Sequence, residues 1–403
     1  MNMNSIIMTL SLILMILNLT KVTSGESRIE RSSNYYNVVT LGAKPDSMTD
    51  SSRALKVAWN SACGSTGRST IFIPQGRFLI RSALKFSGKG CKSGGITFMI
   101  KGTLVAPTDF RVLGKSKTWV AFEDVYGVTI SGGVFDGEGA GLWACKRSGN
   151  GGCPQGITTL RFSNSMNVVI NGVTSLNSQL YHMVFNGCKN VKVQGVKISA
   201  SGDSPNTDGI HVQKSTGVTI LSSHIATGDD CISIGDGTTN LWIQEIACGP
   251  GHGISIGSLG KDLHEAGVQN VTVKTATFTN TQNGVRIKSW GRPSSGFVRN
   301  VNFQHLTMVN AQNPIIIDQK YCPNHKGCPG QASGVRINDV TYKDIRGSSA
   351  TPVAVNFDCS SKNHCSGIKM EDISLTYNNK SASSSCTNTA GSTFGVVQPK
   401  SCL

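Results

Sequence analysis

Charge is scarce in this chain, and acid is scarcest. Only 15% of the residues are charged, and 23 acidic side chains face 38 basic ones. Long amphipathic helical patterns are also scarce, which disfavours a helical bundle. No basic amphipathic helix is present to lie on a membrane surface. No patch interleaves basic and aromatic residues, so nucleic acid is a poor partner for the excess positive charge. No C-x2-C occurs and no Cys/His set has finger spacing, which disfavours structural zinc. The apolar run Ile6 to Leu19 is too short for a comfortable transmembrane span. Small and polar residues, Thr20 to Ser24, follow it, so residues 1–25 read as a secretory signal and 26–403 as the working domain. No Lys or Arg precedes that run, which leaves the amino terminus to supply the positive charge.

What is present is glycine, 46 of 403 residues, together with aliphatics, Thr, Ser and Asn. That mixture suits an all-β chain with many turns. The length could suggest two or three domains, but a solenoid escapes that expectation because its core grows along an axis. The 13 cysteines support export to an oxidising compartment. Short spacings suggest pairs Cys145–Cys153, Cys322–Cys328 and Cys359–Cys365, with Cys231–Cys248, Cys386–Cys402 and Cys63–Cys91 as further plausible pairs. Cys188 is left over as a buried thiol. Asn270-Val-Thr272 and Asn379-Lys-Ser381 are glycosylation acceptors in a secreted chain. A net charge of +15 then fits an anionic extracellular polymer, beside the plainer reading that it only keeps the protein soluble.

A repeat runs through most of the chain. Asn or Gly, an aliphatic residue, a variable residue and an apolar residue recur from Gly127-Val-Thr-Ile130 to Asn300-Val-Asn-Phe303. Gly334-Val-Arg-Ile337 and Gly367-Ile-Lys-Met370 extend the series. From Asn167 to Asn300 the spacings are 23, 27, 23, 30 and 30 residues, so coils share a core size while loops vary. Asn and Gly suit tight turns at positive φ. A single right-handed parallel β-helix is the architecture that follows. Tyr36 to Gly42 reads as an opening strand, and helical character in Ser52 to Trp59 predicts a short helix capping the open end. Ser381 to Leu403 reads as a terminal tail or cap without chemistry.

The chemistry concentrates between Asn206 and Lys288. Asn206-Thr-Asp208, Gly228-Asp-Asp230, Gly251-His-Gly253 and Arg286-Ile-Lys288 each sit at the head of, or within, an apolar strand. Asp208, Asp230 and His252 are each 22 residues from the next, which stacks them on neighbouring coils. Crowded carboxylates repel, so one can stay protonated while another is ionised. Glycoside hydrolysis needs that pair of states. Strict alternation turns Asp229, Ser233, Arg286 and Lys288 outward and Asp208, Asp230 and His252 inward. Bends permitted by Gly209, Gly228 and Gly253 would bring the latter to the cleft. Arg286 and Lys288 read either as a solvated strand face or as a grip on substrate carboxylates. His252 suits tuning of a neighbouring acid. It could also be a metal ligand or a plain surface residue, and a calcium site is the main rival use of the aspartates.

These four motifs resemble those of polygalacturonases, glycoside hydrolase family 28, and Cys248 to Ser258 resembles the plant members. The similarity extends from about Tyr36 to Cys402. The resemblance implies a pectinase-like β-helix and inverting hydrolysis of de-esterified homogalacturonan in the cell wall, without metal or other cofactor. By the same resemblance, Asp229 is the general acid, Asp208 and Asp230 activate water, and His252 assists. Asn206, Arg286, Lys288 and Tyr321 are the substrate contacts. Internal cleavage by a secreted monomer is expected, with an exo-acting enzyme, a pectate lyase and a non-catalytic pectin-binding protein as the alternatives. Ser289 after Lys288 departs from the Thr common in the family and bears only on local subsite detail.

Overall fold

The computed structural model describes residues 34–149, 151–323 and 326–403. The expected signal segment, 1–25, lies outside them. The described strands form one sheet of 11 and another of 20. In the smaller sheet, consecutive coils supply neighbouring parallel strands, from Leu84–Ser87 through Ile210–Gln213, Ile232–Ile234, Ile254–Leu259 and Asn283–Trp290 to Ser383–Thr387. The larger sheet bends around two faces. Its strand Thr216–Ala226 pairs with both Lys189–Gln194 and Lys197–Ser199 of the coil before.

The repeat explains the turns. Asn167, Asn190, Asn240, Asn270 and Asn300 all have φ between 52° and 56°, and Gly217 has 66°. Asn tolerates this left-handed region better than most residues. Its Nδ2 also donates to the Asn of the coil before, and its Oδ1 accepts from that of the coil after. Asn190 donates to Asn167 at 2.6 Å, Asn270 to Asn240 at 3.0 Å and Asn300 to Asn270 at 2.7 Å. Beyond Asn300 the unit Gly367-Ile-Lys-Met370 holds the expected register, with Gly367 at φ 63°, but Gly334-Val-Arg-Ile337 does not. Gly334 is not the turn residue; Asp339 is, at φ 53°, and Asp339-Val-Thr-Tyr342 is the true repeat unit. Gly334 is needed for space instead, since a Cβ there would lie 2.2 Å from the Ser294 nitrogen.

Between the sheets, equivalent residues stack in columns. Ile210, Ile232, Ile254, Val285 and Ile315 form one, and Val212, Ile234, Ile256, Ile287 and Ile317 the next. All are fully buried. The expected helix spans Ser52–Gly64 and lays Trp59 on Phe86, Phe98 and Phe122, with ring centroids 5.1, 6.0 and 5.9 Å away. Cys63–Cys91 ties its end, and all six expected disulfides are present. Cys188 is free and buried. The opening strand is Asn34–Asn37 and stops short of Gly42, because residues 38–42 turn back on themselves, Leu41 N–H to the Val38 carbonyl and Gly42 N–H to that of Val39. The last segment is more than a tail: Ser383–Thr387 and Thr389–Gln398 add a strand to each sheet. Trp59→Ala should cost about 3–5 kcal/mol through the cavity it leaves. A thermal unfolding midpoint equal to that of the unaltered protein would show that the helix does not seal the stack.

Candidate active site

The site lies on the outer surface of the 11-stranded sheet. Outward residues of successive strands align as His211, Ser233, Ser255 and Arg286. Arg286 and Lys288 do point outward, but neither belongs to a solvated face. They are 9% and 5% exposed. Tyr321, from strand Asn313–Tyr321, covers them, with its ring centroid 5.9 Å from the Arg286 guanidinium carbon and 5.2 Å from Lys288 Nζ.

Asp208, Asp230 and His252 occupy equivalent places, two residues before Ile210, Ile232 and Ile254. The inward parity counted from the strands does not hold for them, because they sit in turns. Gly253 is left-handed at φ 85°. Gly209 and Gly228 are not; they are there for close approach. A Cβ on Gly209 would lie 2.6 Å from the Cys231 carbonyl oxygen, and one on Gly228 2.1 Å from that of Ser204. Cys231–Cys248 pins the same turn.

Asp230 is the anchor. Its Oδ1 accepts from Ser255 Oγ at 2.7 Å and Arg286 Nη2 at 2.9 Å, and its Oδ2 from Lys288 Nζ at 2.7 Å. Burial works against its charge, but Lys288 and Arg286 outweigh burial and hold the carboxyl below its usual range. Asp208 is opposite. Burial first, and then the charges of Asp229 and Asp230, push it well above the usual range. The Ser233 hydroxyl, which partly offsets this shift, meets His211 Nδ1 at 2.8 Å. Asp229 is held through Oδ1, which accepts the Asp230 N–H at 2.8 Å and lies 3.0 Å from His252 Nδ1. Asn206 Nδ2 is 3.4 Å from Asp229 Oδ2.

Oxygens of Asp229 and Asp230 and a nitrogen of His252 lie within 4.8 Å of one another, close enough to suggest a metal. The donor set fits one poorly. Both Asp230 oxygens already accept from cationic side chains, which would repel a divalent ion.

Two depressions meet at Asp229, Asn206 and Tyr321. One, of about 420 Å³, runs past Tyr181, His211, Lys288 and Trp290; the other, of about 390 Å³, past Pro205, His252, Gln282 and Arg286. Every residue expected at the site is therefore brought together. Sequence reasoning passed over Tyr181, which stacks on His211 at 5.3 Å, and gave no role to His211, Ser233, Ser255 or Trp290. The outward parity of Arg286, carried back one coil at a time, would have found the serines and His211.

A match to the family described as Glycosyl hydrolases family 28 covers residues 63–402. The chain belongs to this family. It is a glycoside hydrolase. It is 63% identical over 368 residues to a polygalacturonase of Prunus persica, covering 91% of this chain and 93% of that one. It is 42% identical over 373 residues to an exopolygalacturonase of Arabidopsis thaliana, covering 91% of this chain and 82% of that one. Among solved structures, an endo-xylogalacturonan hydrolase from Aspergillus tubingensis superposes with a TM-score of 0.79 at 23% identity, covering 90% and 99% of the two chains. That likeness bears on the right-handed β-helix alone.

Lys288→Met should cost about 3–5 kcal/mol at neutral pH, by leaving Asp230 under-compensated in a buried place. The folded-state value of Asp230 is depressed, so its contribution is full above the unfolded value of about 4 and is lost as pH falls through the folded value. The gap between variant and parent in thermal unfolding should thus be widest near neutrality and narrow on acidification. A gap independent of pH would show that the pair does not hold Asp230 ionised.

Proposed function

We propose that this hydrolase is secreted and cuts α-1,4 bonds between galacturonate units of de-esterified homogalacturonan, within the chain and with inversion. One observation carries the reading: a carboxylate kept ionised by two cations lies beside two further carboxyls, one of them raised by burial and repulsion. Three carboxyls so close cannot all be charged, and the proton they retain is what leaving-group departure requires.

In this reading Asp229 protonates the glycosidic oxygen. His252 orients it through Oδ1 and Asn206 steadies Oδ2. Asp230 stays ionised and orients the water. Asp208 first yields its proton to Asp229 and then, as a carboxylate more basic than usual, takes the proton that the water releases, so the pair ends with the one proton it began with. Attack by water opposite the departing oxygen inverts the anomeric centre. Arg286 and Lys288 contact substrate as well as Asp230, since their hydrogen bonds use only part of the donors they carry. Tyr321 and Trp290, 5.5 Å apart, supply apolar surface for the sugar rings.

Asp229→Asn removes the proton donor without its hydrogen-bonding shape. Turnover on polygalacturonate should fall by two or more orders of magnitude while substrate binding persists. Proton NMR in the first minutes should show the inverted anomer from the unaltered enzyme. Near-normal turnover in the variant, or a retained anomer, would overturn the assignment.

Internal cutting is supported by the length of the cleft. Its lining runs from Tyr181 to Tyr321 across six strands, roughly 24 Å at the spacing of parallel strands. One contact favours the exo reading: Arg147, on the helix Ala140–Arg147, pairs with Asp203 at 3.0 Å and could wall off one end. Long polygalacturonate should lose viscosity in the first few per cent of digestion and release mixed oligomers. Monogalacturonate as the sole early product, with viscosity retained, would establish the walled groove.

A further inference from the structure

We propose that Arg161 forms a separate carboxylate-binding subsite, in the part of the groove built by coils that precede Asp229. The proposal rests on the activity proposed above. Arg161 lies between Leu160 and Phe162, both buried in the core, so it projects outward from strand Thr158–Ser163. It stands opposite Val184, which stands opposite His211. Arg161 therefore continues the column of His211, Ser233, Ser255 and Arg286, three strands before Ser233 and roughly 14 Å along the groove.

Its electrostatic situation differs from that of Arg286. Its Nε is buried without a hydrogen-bond partner. No carboxylate among the described residues pairs with it; Glu123, from the preceding coil, pairs with Lys85. A half-buried cation without a counter-ion is costly to the fold. The charge reaches the cleft, because it acts on Tyr181 and His211, both of which line it. A planar guanidinium with free donors matches a carboxylate by a two-point fork. The ligand is the free carboxylate of a uronate unit several sugars from the scissile bond. A methyl ester there offers neither the charge nor the fork.

The test compares Arg161→Gln with the unaltered enzyme on oligogalacturonates of graded length. With the longest fragments KM should rise about tenfold relative to the shortest cleaved fragments, the scale of one charge-assisted contact. Arg161→Lys should recover part of the loss, and raising salt should lessen it. Partial methyl esterification of the polymer should slow Arg161→Gln less than the parent. If the long-to-short KM ratio is unchanged, or all lengths shift equally, Arg161 is no subsite. If the unaltered enzyme cleaves no polygalacturonate, the proposed activity itself fails, an outcome distinct from an active enzyme indifferent to Arg161.

Discussion

The site depends on one buried charge, that of Asp230. Its partners come from the next two coils, Ser255 from one and Arg286 and Lys288 from the other. Such a cluster adds little net stability, because desolvation consumes most of what the ion pairs return. Its effect is to fix a protonation state. With Asp230 ionised and bonded to Arg286 and Lys288, a proton held by the crowded carboxyls falls to Asp208, whose affinity for it is raised by burial and by the charges of Asp229 and Asp230. The free enzyme therefore keeps acid in hand while Asp230 remains charged.

This arrangement tolerates little drift in coil spacing. Arg286 and Lys288 reach Asp230 only if every strand between them keeps its register. The asparagine ladder supplies that register from the turn that follows each strand of the smaller sheet. Each Asn fixes a left-handed turn and hydrogen-bonds the Asn of a neighbouring coil, save across Gly217, where Asn240 meets the Thr216 hydroxyl instead. Between these fixed turns the loops vary freely, because the spacing of the core columns does not depend on them.

Much of this was legible before any coordinates. The four-residue template marks a position that demands positive φ and two that must be buried, and only a stacked coil asks for both at such a period. The 22-residue spacing of Asp208, Asp230 and His252 placed them on adjacent coils, as the register bears out. Two things were not legible. Aspartate can take the left-handed turn as asparagine does, so the coil at Asp339 was hidden behind the nearby Gly334. Burial of outward residues was hidden too. Alternation tells which way Arg286 and Lys288 point, but not that Tyr321, more than 30 residues later, folds over them.

The failure of parity for the aspartates has its own physical reason. The strands that follow them are short: Ile210–Gln213 has four residues and Ile232–Ile234 three, against nine in Asn313–Tyr321. A short strand lengthens the turn before it, and in a turn a side chain is freed from the two-residue alternation of the pleat. That freedom lets adjacent residues do different work. Asp229 remains half-buried and open to a ligand, while Asp230, its direct neighbour, is enclosed by cations. A regular strand would also have separated the two, but onto opposite faces, with one lost in the aliphatic column. The proposed catalytic centre sits where the sheet is narrowest, at the three-residue strand Ile232–Ile234, because only there can consecutive carboxyls share one side.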